Sequence, residues 1–382
     1  MKYSDNEIST YLFCAQLPQT KTNPLTIIEW NVVVKSFGDH KLEPEVLLTM
    51  NTEELSNILT HATAAQKKRI VEKIEKRRNL GISMVELDEV TKQGYGIMFR
   101  ANMPKRLKKL TSKFLPPFFY YAGDPSIFSH VTLGVVGARD ASQEELDKTA
   151  QIAKEAAKQG VVIISGGARG VDTTAVEAAL QNGGKAVVFP VDGLSKWVKK
   201  TNIRTYLMNG QLLLMSTQQL NATFTASYAM KRNQFIHAPS DMVLVASSKI
   251  SGKKASGTWE GVQENLKMKW SPIYVIGESE GVKKLLAEGN AKPFTTFDDI
   301  LKDEQILNRN KYEQFDLNAK KLIKFAINNG MERQTIEDKF ENILNEFFDK
   351  VNVSCGETVV KSSETHEAVQ LSIEDLIKEE SN

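Results

Sequence analysis

The sequence predicts an α/β protein: a doubly wound, mostly parallel sheet, with an N-terminal helical domain before it and a small helical C-terminal region after it. Three observations carry this. From residue 131 onward, short runs of aliphatic and β-branched residues alternate with helix-length stretches, the pattern of βαβ units. Residues 161–164, Val-Val-Ile-Ile, read as a strand buried on both faces that runs into a glycine-rich loop and a helix-spaced segment. The chain of 382 residues is too long for one ordinary core, so two or three domains are expected.

Taken in order, residues 1–110 are helical, with apolar-periodic segments at 8–17 and 24–36. Asn51 or Thr52 ahead of Glu53 and Glu54 marks a helix start, and 65–78 continues as a helix. That helix carries Lys67, Lys68, Arg69, Lys76, Arg77 and Arg78, which read either as a solvated face or as a nucleic-acid contact. A connector reaches residue 130. Within it 81–85 reads as a short strand, and 115–121 is extended by Pro116 and Pro117, its aromatics packing across the domain junction.

The sheet region spans 131–295, with strands at 131–136, 161–164, 185–190, 211–215, 242–246 and 273–276. Ser142 is placed to cap a helix through Gln159, and further helices start near Thr201, Thr225 and Thr258. Residues 300–382 offer helices at 317–329 and 332–351, then an acidic, weakly docked tail rich in Glu364, Glu367, Glu374 and Asp375.

With 25% charged and 41% hydrophobic residues the composition is that of a soluble globular protein, and the net charge of +2 decides nothing by itself. Cys14 and Cys355 offer neither a metal spacing nor a disulfide framework, so no metal site is expected. There is no apolar core for a signal peptide near Met1 and no run of membrane-spanning length, so the expectation is a cytoplasmic protein with no membrane partner.

The chemistry concentrates in loops that follow strands. Gly166, Gly167 and Gly170 let the backbone present bare amides to a ligand at the start of a helix, and Arg169 adds a guanidinium, which together suit phosphate. The spacing is neither G-x-G-x-x-G nor a Walker A loop, and a tight turn between strand and helix needs glycine anyway, so both readings stand. Asp192 to Asn202 mixes Lys196, Lys199 and Lys200 with Trp197, either a base-stacking indole or a packing residue. Residues 251–258, with Lys253, Lys254, Ser256, Gly257 and Thr258, form a second glycine-rich loop opening a helix.

In this order the pieces resemble the DprA/Smf family of DNA-processing proteins. The carrying motifs are Val135-Val136-Gly137-Ala138-Arg139, the stretch from Ser165 to Leu180, Gly184 to Leu194, Lys231 to Ile236, Met242 to Val245 and Ser256-Gly257-Thr258. The resemblance covers residues 75–280 and, more loosely, the helical domain, which would be SAM-like. It implies an extended Rossmann-like core that binds single-stranded DNA in a basic pocket without a cofactor. It further implies a homodimer that protects DNA or hands it to a RecA-type recombinase, in transformation, recombination or defence against foreign DNA.

The matching pocket positions are Gly137 and Arg139, Ser165 to Gly167 with Arg169, Arg232 with Asn233, and Ser256 with Gly257; Lys199, Lys200 and Asn202 fall where the family also contacts DNA. The chain departs from the family pattern at Gly167, usually leucine, at Val176 or Glu177, where a histidine is common, and at Gln234, usually arginine. Its end does not read as the winged-helix module that many members carry.

A rival reading is an enzyme similar to the lysine-decarboxylase-like phosphoribohydrolases, which cleave nucleotides. Gly257-Thr258-Trp259-Glu260 comes near their Gly-Thr loop with its catalytic glutamate, but the spacing is one residue short and the preceding Pro-Gly-Gly is absent. A carboxylate in acid–base work also needs a partner, and the nearby His237 reads as part of the helix packed under the fifth strand of the 131–295 region.

Overall fold

The structure, a computed structural model, describes residues 3–306 apart from 18–19, 79, 112, 251–255 and 303–305, with the backbone alone at 80–83. The chain divides into two compact units, Met1–Ile306 and Leu307–Asn382. The expected helices at 317–329 and 332–351, the acidic tail, Cys355, Lys253 and Lys254 all lie outside the described residues.

Five helices open the first unit: α1 (Asp5–Cys14), α2 (Ile27–Asp39), α3 (Thr52–Ile58), α4 (Ala64–Arg77) and α5 (Leu80–Lys92). The first four begin with a reciprocal capping box, Ser4 with Glu7, Thr26 with Glu29, Asn51 with Glu54 and Thr63 with Gln66, so each start is written in four residues of sequence. The cations of α4 are largely spoken for. Lys67 bonds the Ser56 carbonyl, Lys73 reaches Glu29 at 2.7 Å, and buried Arg77 donates to the carbonyls of Leu12, Ala15 and Thr22. These three staple the N-terminal segments together, whereas Lys68, Arg69 and Lys76 stand exposed on the outer face of the helix.

The strand expected at 81–85 is instead part of helix α5. Leu87 and Val90 are buried three residues apart on one face of it, while Val85 is 59% exposed; that spacing outweighs the local β preference.

The rest of the connector joins the sheet. Strand β1 (Gly96–Phe99) pairs antiparallel with β2 (Phe118–Ala122), joined through the short α6 (Lys105–Lys108). Phe118 and Tyr120 of β2 pack on Tyr11 of α1, whose hydroxyl accepts a hydrogen bond from that of Tyr120 at 3.1 Å.

The doubly wound part follows: β3 (Thr132–Val136), α7 (Gln143–Lys158), β4 (Val162–Ser165), α8 (Val171–Gln181), β5 (Ala186–Val188), α9 (Leu194–Val198), α10 (Thr201–Met208) and β6 (Leu212–Ser216). Then come α11 (Ala226–Arg232), α12 (Gln234–His237), β7 (Met242–Val245), α13 (Gly257–Met268), β8 (Ile273–Val275), α14 (Glu280–Ala287), β9 (Lys292–Pro293) and α15 (Phe297–Ile300). The strand order is β1-β2-β6-β5-β4-β3-β7-β8-β9, parallel except that β2 runs antiparallel to both neighbours.

Strand periodicity divides the core in two. Leu133, Ile163, Val188, Leu214 and Leu244 face one cluster shared with α7, α8 and the N-terminal helices, while Val136, Ile164, Val187, Leu213 and Val243 face the other with α12, α13 and α14. Burial on both faces is why these strands read as unbroken apolar runs. Winding proceeds from β3 through β4 and β5 to β6 on one side, then resumes at β7 on the other. The crevice between the carboxyl ends of β3 and β7 is therefore the topological switch point.

Candidate functional site

A cavity of roughly 320 Å³ occupies that crevice. Four loops build it: residues 136–140 after β3, Ala168 and Asp172 after β4, the 224–233 stretch around α11, and Lys249 with 256–258 after β7. Hydrogen bonds tie the loops to one another. Thr258 Oγ1 donates to the Gly137 carbonyl at 3.0 Å, and Asn233 Nδ2 donates to the Gly257 carbonyl at 2.8 Å. Ser256 caps α13, accepting from the Trp259 amide at 3.2 Å, and donates to the Lys249 carbonyl at 2.9 Å. These polar groups, expected to face a ligand, hold the walls.

The glycines do what close approach requires. A β-carbon on Gly137 would run into the side chain of Val171, the first residue of α8, and Gly170 takes φ +87° to turn the chain into that helix. The guanidinium of Arg232 lies directly against Gly166, in the space a β-carbon would take.

Arg232, expected at the pocket, does line the cavity, as a buried side chain. It is 3% exposed, on the cavity wall, with Nη1 3.7 Å from Asp172 Oδ2, an ion pair too long for a hydrogen bond. Burial lowers its pKa while Asp172 opposes the shift; burial raises that of Asp172, against the pull of Arg232. The accessible cations are at the rim. Arg139 is exposed, its guanidinium 5.9 Å from the centroid of the Phe224 ring, and Lys249 forms an exposed ion pair with Asp140 across the mouth. The hydrogen bond from Lys249 holds the Asp140 carboxyl below the usual range.

The other expected residues flank this cavity. Ser165 is fully buried and donates to the Val135 carbonyl at 2.8 Å. Arg169, on the loop after β4, Lys199 and Lys200, between α9 and α10, and Asn202, in the first turn of α10, are exposed outside the cavity lining. Trp197 is half-buried over Gly167, its indole N–H bonded to Asp192 Oδ1 at 2.7 Å and Lys200 Nζ 4.6 Å from its ring centroid. The exposed aromatic at the cavity is Phe224, 50% exposed, beside Met230 at 48%. A lone phenylalanine in the polar run Thr217 to Thr225 was the available signal for it.

The residues of the enzyme reading do not converge. Glu260 is exposed and is not part of the cavity wall. His237 is fully buried in α12, and that burial pushes its pKa down to about 3. Among the described residues no group of His, Cys, Asp and Glu is placed to hold a metal ion, and no helix is long and apolar enough to cross a membrane.

Comparison with known proteins agrees with the geometry. The chain is 30% identical over 193 residues to the DNA processing protein DprA of Streptococcus pneumoniae, an alignment covering 49% of this chain and 66% of that protein. It is 29% identical over 172 residues to protein Smf of Borreliella burgdorferi, covering 43% and 54%. It thus spans somewhat less than two thirds of the first relative and about half of the second. The solved structure of the pneumococcal DprA superposes with a TM-score of 0.59 at 21% identity, covering 79% of this chain and 99% of that one, which shows the same fold. The family model described as DNA recombination-mediator protein A matches residues 96–305, the sheet from β1 through β9, and the chain belongs to that DprA/Smf family.

Proposed function

We propose that this protein binds single-stranded DNA along the carboxyl edge of its sheet and passes it, as a homodimer in the cytoplasm, to a RecA-type recombinase. The observation that carries the reading is the rim of the switch-point cavity, where Arg139 and Lys249 stand beside an exposed Phe224. Phosphates need cations, and unstacked bases need a flat apolar partner; duplex DNA offers only the first. Arg169, Lys199 and Lys200 extend the positive surface past β4 and β5, giving a strand a track longer than one nucleotide.

The protein acts here by binding. A nucleotide-cleaving site would bring a carboxylate to the bound sugar, whereas the acids at this cavity are Asp140, ion-paired with Lys249, and Asp172, buried against Arg232.

Binding of the purified protein to single-stranded, double-stranded and mononucleotide ligands over a salt series tests the reading. Affinity for single strands should rise with length and fall with salt, at about 0.7 logarithmic units per phosphate neutralised. Equal affinity for duplex, or base release from a nucleoside monophosphate that Glu260→Gln abolishes, would overturn it.

A further inference from the structure

A second cavity, roughly 460 Å³, adjoins the first. The two share one stretch of backbone. Thr223 and Thr225 line the second cavity, while Phe224 and Ala226 line the first. Thr225 is extended, with φ −132° and ψ 137°, and an extended chain turns successive side chains to opposite sides. Residues 223–226 are thus a wall one chain thick.

The chemistry of the two sides differs. No Lys, Arg, Asp or Glu lines the second cavity. In their place stand the amides of Gln16, Gln218 and Gln219 and the hydroxyls of Thr217 and Thr223, with the ring of Phe118 against them. A phosphate has no reason to enter. A neutral, flat group carrying both donors and acceptors does, and an amide offers the donor and acceptor side by side that a base edge complements.

Gln218 supplies a second, independent indication. Its Oε1 is buried and has no hydrogen-bond partner among the described residues. A buried acceptor left unmade costs about 1 to 3 kcal/mol, which rotation of the amide toward a ligand's N–H would recover. The volume lies in the range of small-molecule sites, about 300 to 1,000 Å³, and leaves room for one nucleoside-sized group.

We propose that the second cavity receives a nucleobase from a strand whose sugar–phosphate backbone runs through the first, with Phe224 on the wall between them. This rests on the single-strand reading above. It also gives the N-terminal helical region a part in the site. Gln16 and Pro24 come from that region, and the Gln16 carbonyl accepts from Gln219 Nε2 at 2.6 Å, holding the region against the wall.

The test compares an oligothymidylate with a fully abasic strand of the same length, by anisotropy, for the full-length parent, Gln218→Met and Thr223→Trp. Thr223 is exposed, so the bulky variant fills the cavity without disturbing the core. Both variants should lose about tenfold for the base-bearing strand, the scale of one lost base contact, and nothing for the abasic strand. If the parent prefers single strands and neither variant changes the ratio between the two ligands, the base site is wrong and the single-strand reading stands. If the parent shows no preference for single strands over duplex, the reading itself fails and takes the base site with it.

Discussion

At the amino ends of β3 and β7, Arg106 and Asp241 are both fully buried, and Thr132 closes the group, its amide donating to Asp241 Oδ2 at 2.9 Å and its Oγ1 accepting from Arg106 at 3.0 Å. At the carboxyl ends, Arg232 and Asp172 are also buried, yet they stand 3.7 Å apart without a hydrogen bond, on the wall of a cavity. The same two residue types do two jobs. The first pair joins α6 of the connector to the start of two strands, away from the lining of the switch-point cavity. Both guanidiniums keep buried N–H groups without a hydrogen-bond partner among the described residues, but Arg232 and Asp172 stand on the wall of a cavity, and their two pKa values move in the directions that burial without full compensation produces.

The contrast can be broken most forcefully at the amino end. Asp241→Ala leaves a buried guanidinium without its carboxylate and should cost about 3 to 5 kcal/mol in urea unfolding, against about 1 to 2 kcal/mol for Arg232→Met, because Asp172 is already predisposed to take a proton. Equal losses would show that the two pairs are the same kind of structural clamp.

Next in size, Phe224→Ala should weaken single-strand binding about tenfold or more at unchanged stability, since half its surface is already in water. Trp197→Ala should do the reverse, losing thermal stability with a smaller change in affinity, because the indole packs on Gly167 and bonds Asp192. The order of the two affinity changes is what anisotropy must decide.

Arg139→Gln should lower the slope of log affinity against log salt by about 0.7, the share of one phosphate on a single strand, and Arg106→Gln should leave that slope untouched in the molecules that remain folded.

The smallest expected effect separates the pairs by pH. An acid whose folded pKa is raised stays protonated longer in the native chain, so its contribution to stability is complete below the unfolded value of 3.8 and is lost as pH rises through the folded value. The unfolding free energy of the parent minus that of Asp172→Asn should therefore decline as pH rises above about 4. A flat difference would show that Asp172 is not held against its charge.

Most of the fold was legible because it is written locally. Apolar runs at 131–136, 161–164 and 242–246 mark strands whatever surrounds them, and Ser142 with Glu145 spells a helix start in four residues. Residues 81–85 read as a strand because Ile82 and Val85 favour strands in isolation, whereas the partners that make α5 a helix are distant in sequence.

At the site the loops were legible and the side-chain roles were not. Gly137, Gly166 and Gly170 follow from the need for tight βα turns, but whether an arginine faces water or another loop depends on where α11 lies relative to β4, which spacing does not encode. Trp197 is conspicuous in sequence as an indole among lysines, whereas Phe224 lies in a stretch with no periodic signal, and its 50% exposure is a property of the fold that spacing does not encode.

The contact between Gly166 and the Arg232 guanidinium makes these two positions, 66 apart in sequence, a single unit of inheritance. Alanine at 166 and the arginine at 232 compete for the same space, so a substitution that is harmful in the parent becomes neutral once residue 232 is small. A saturation scan in the parent would score 166 as fixed, and a scan in an Arg232→Ala background would find it free. Between diverging relatives a side chain at 166 is therefore expected together with a shorter or displaced side chain at 232.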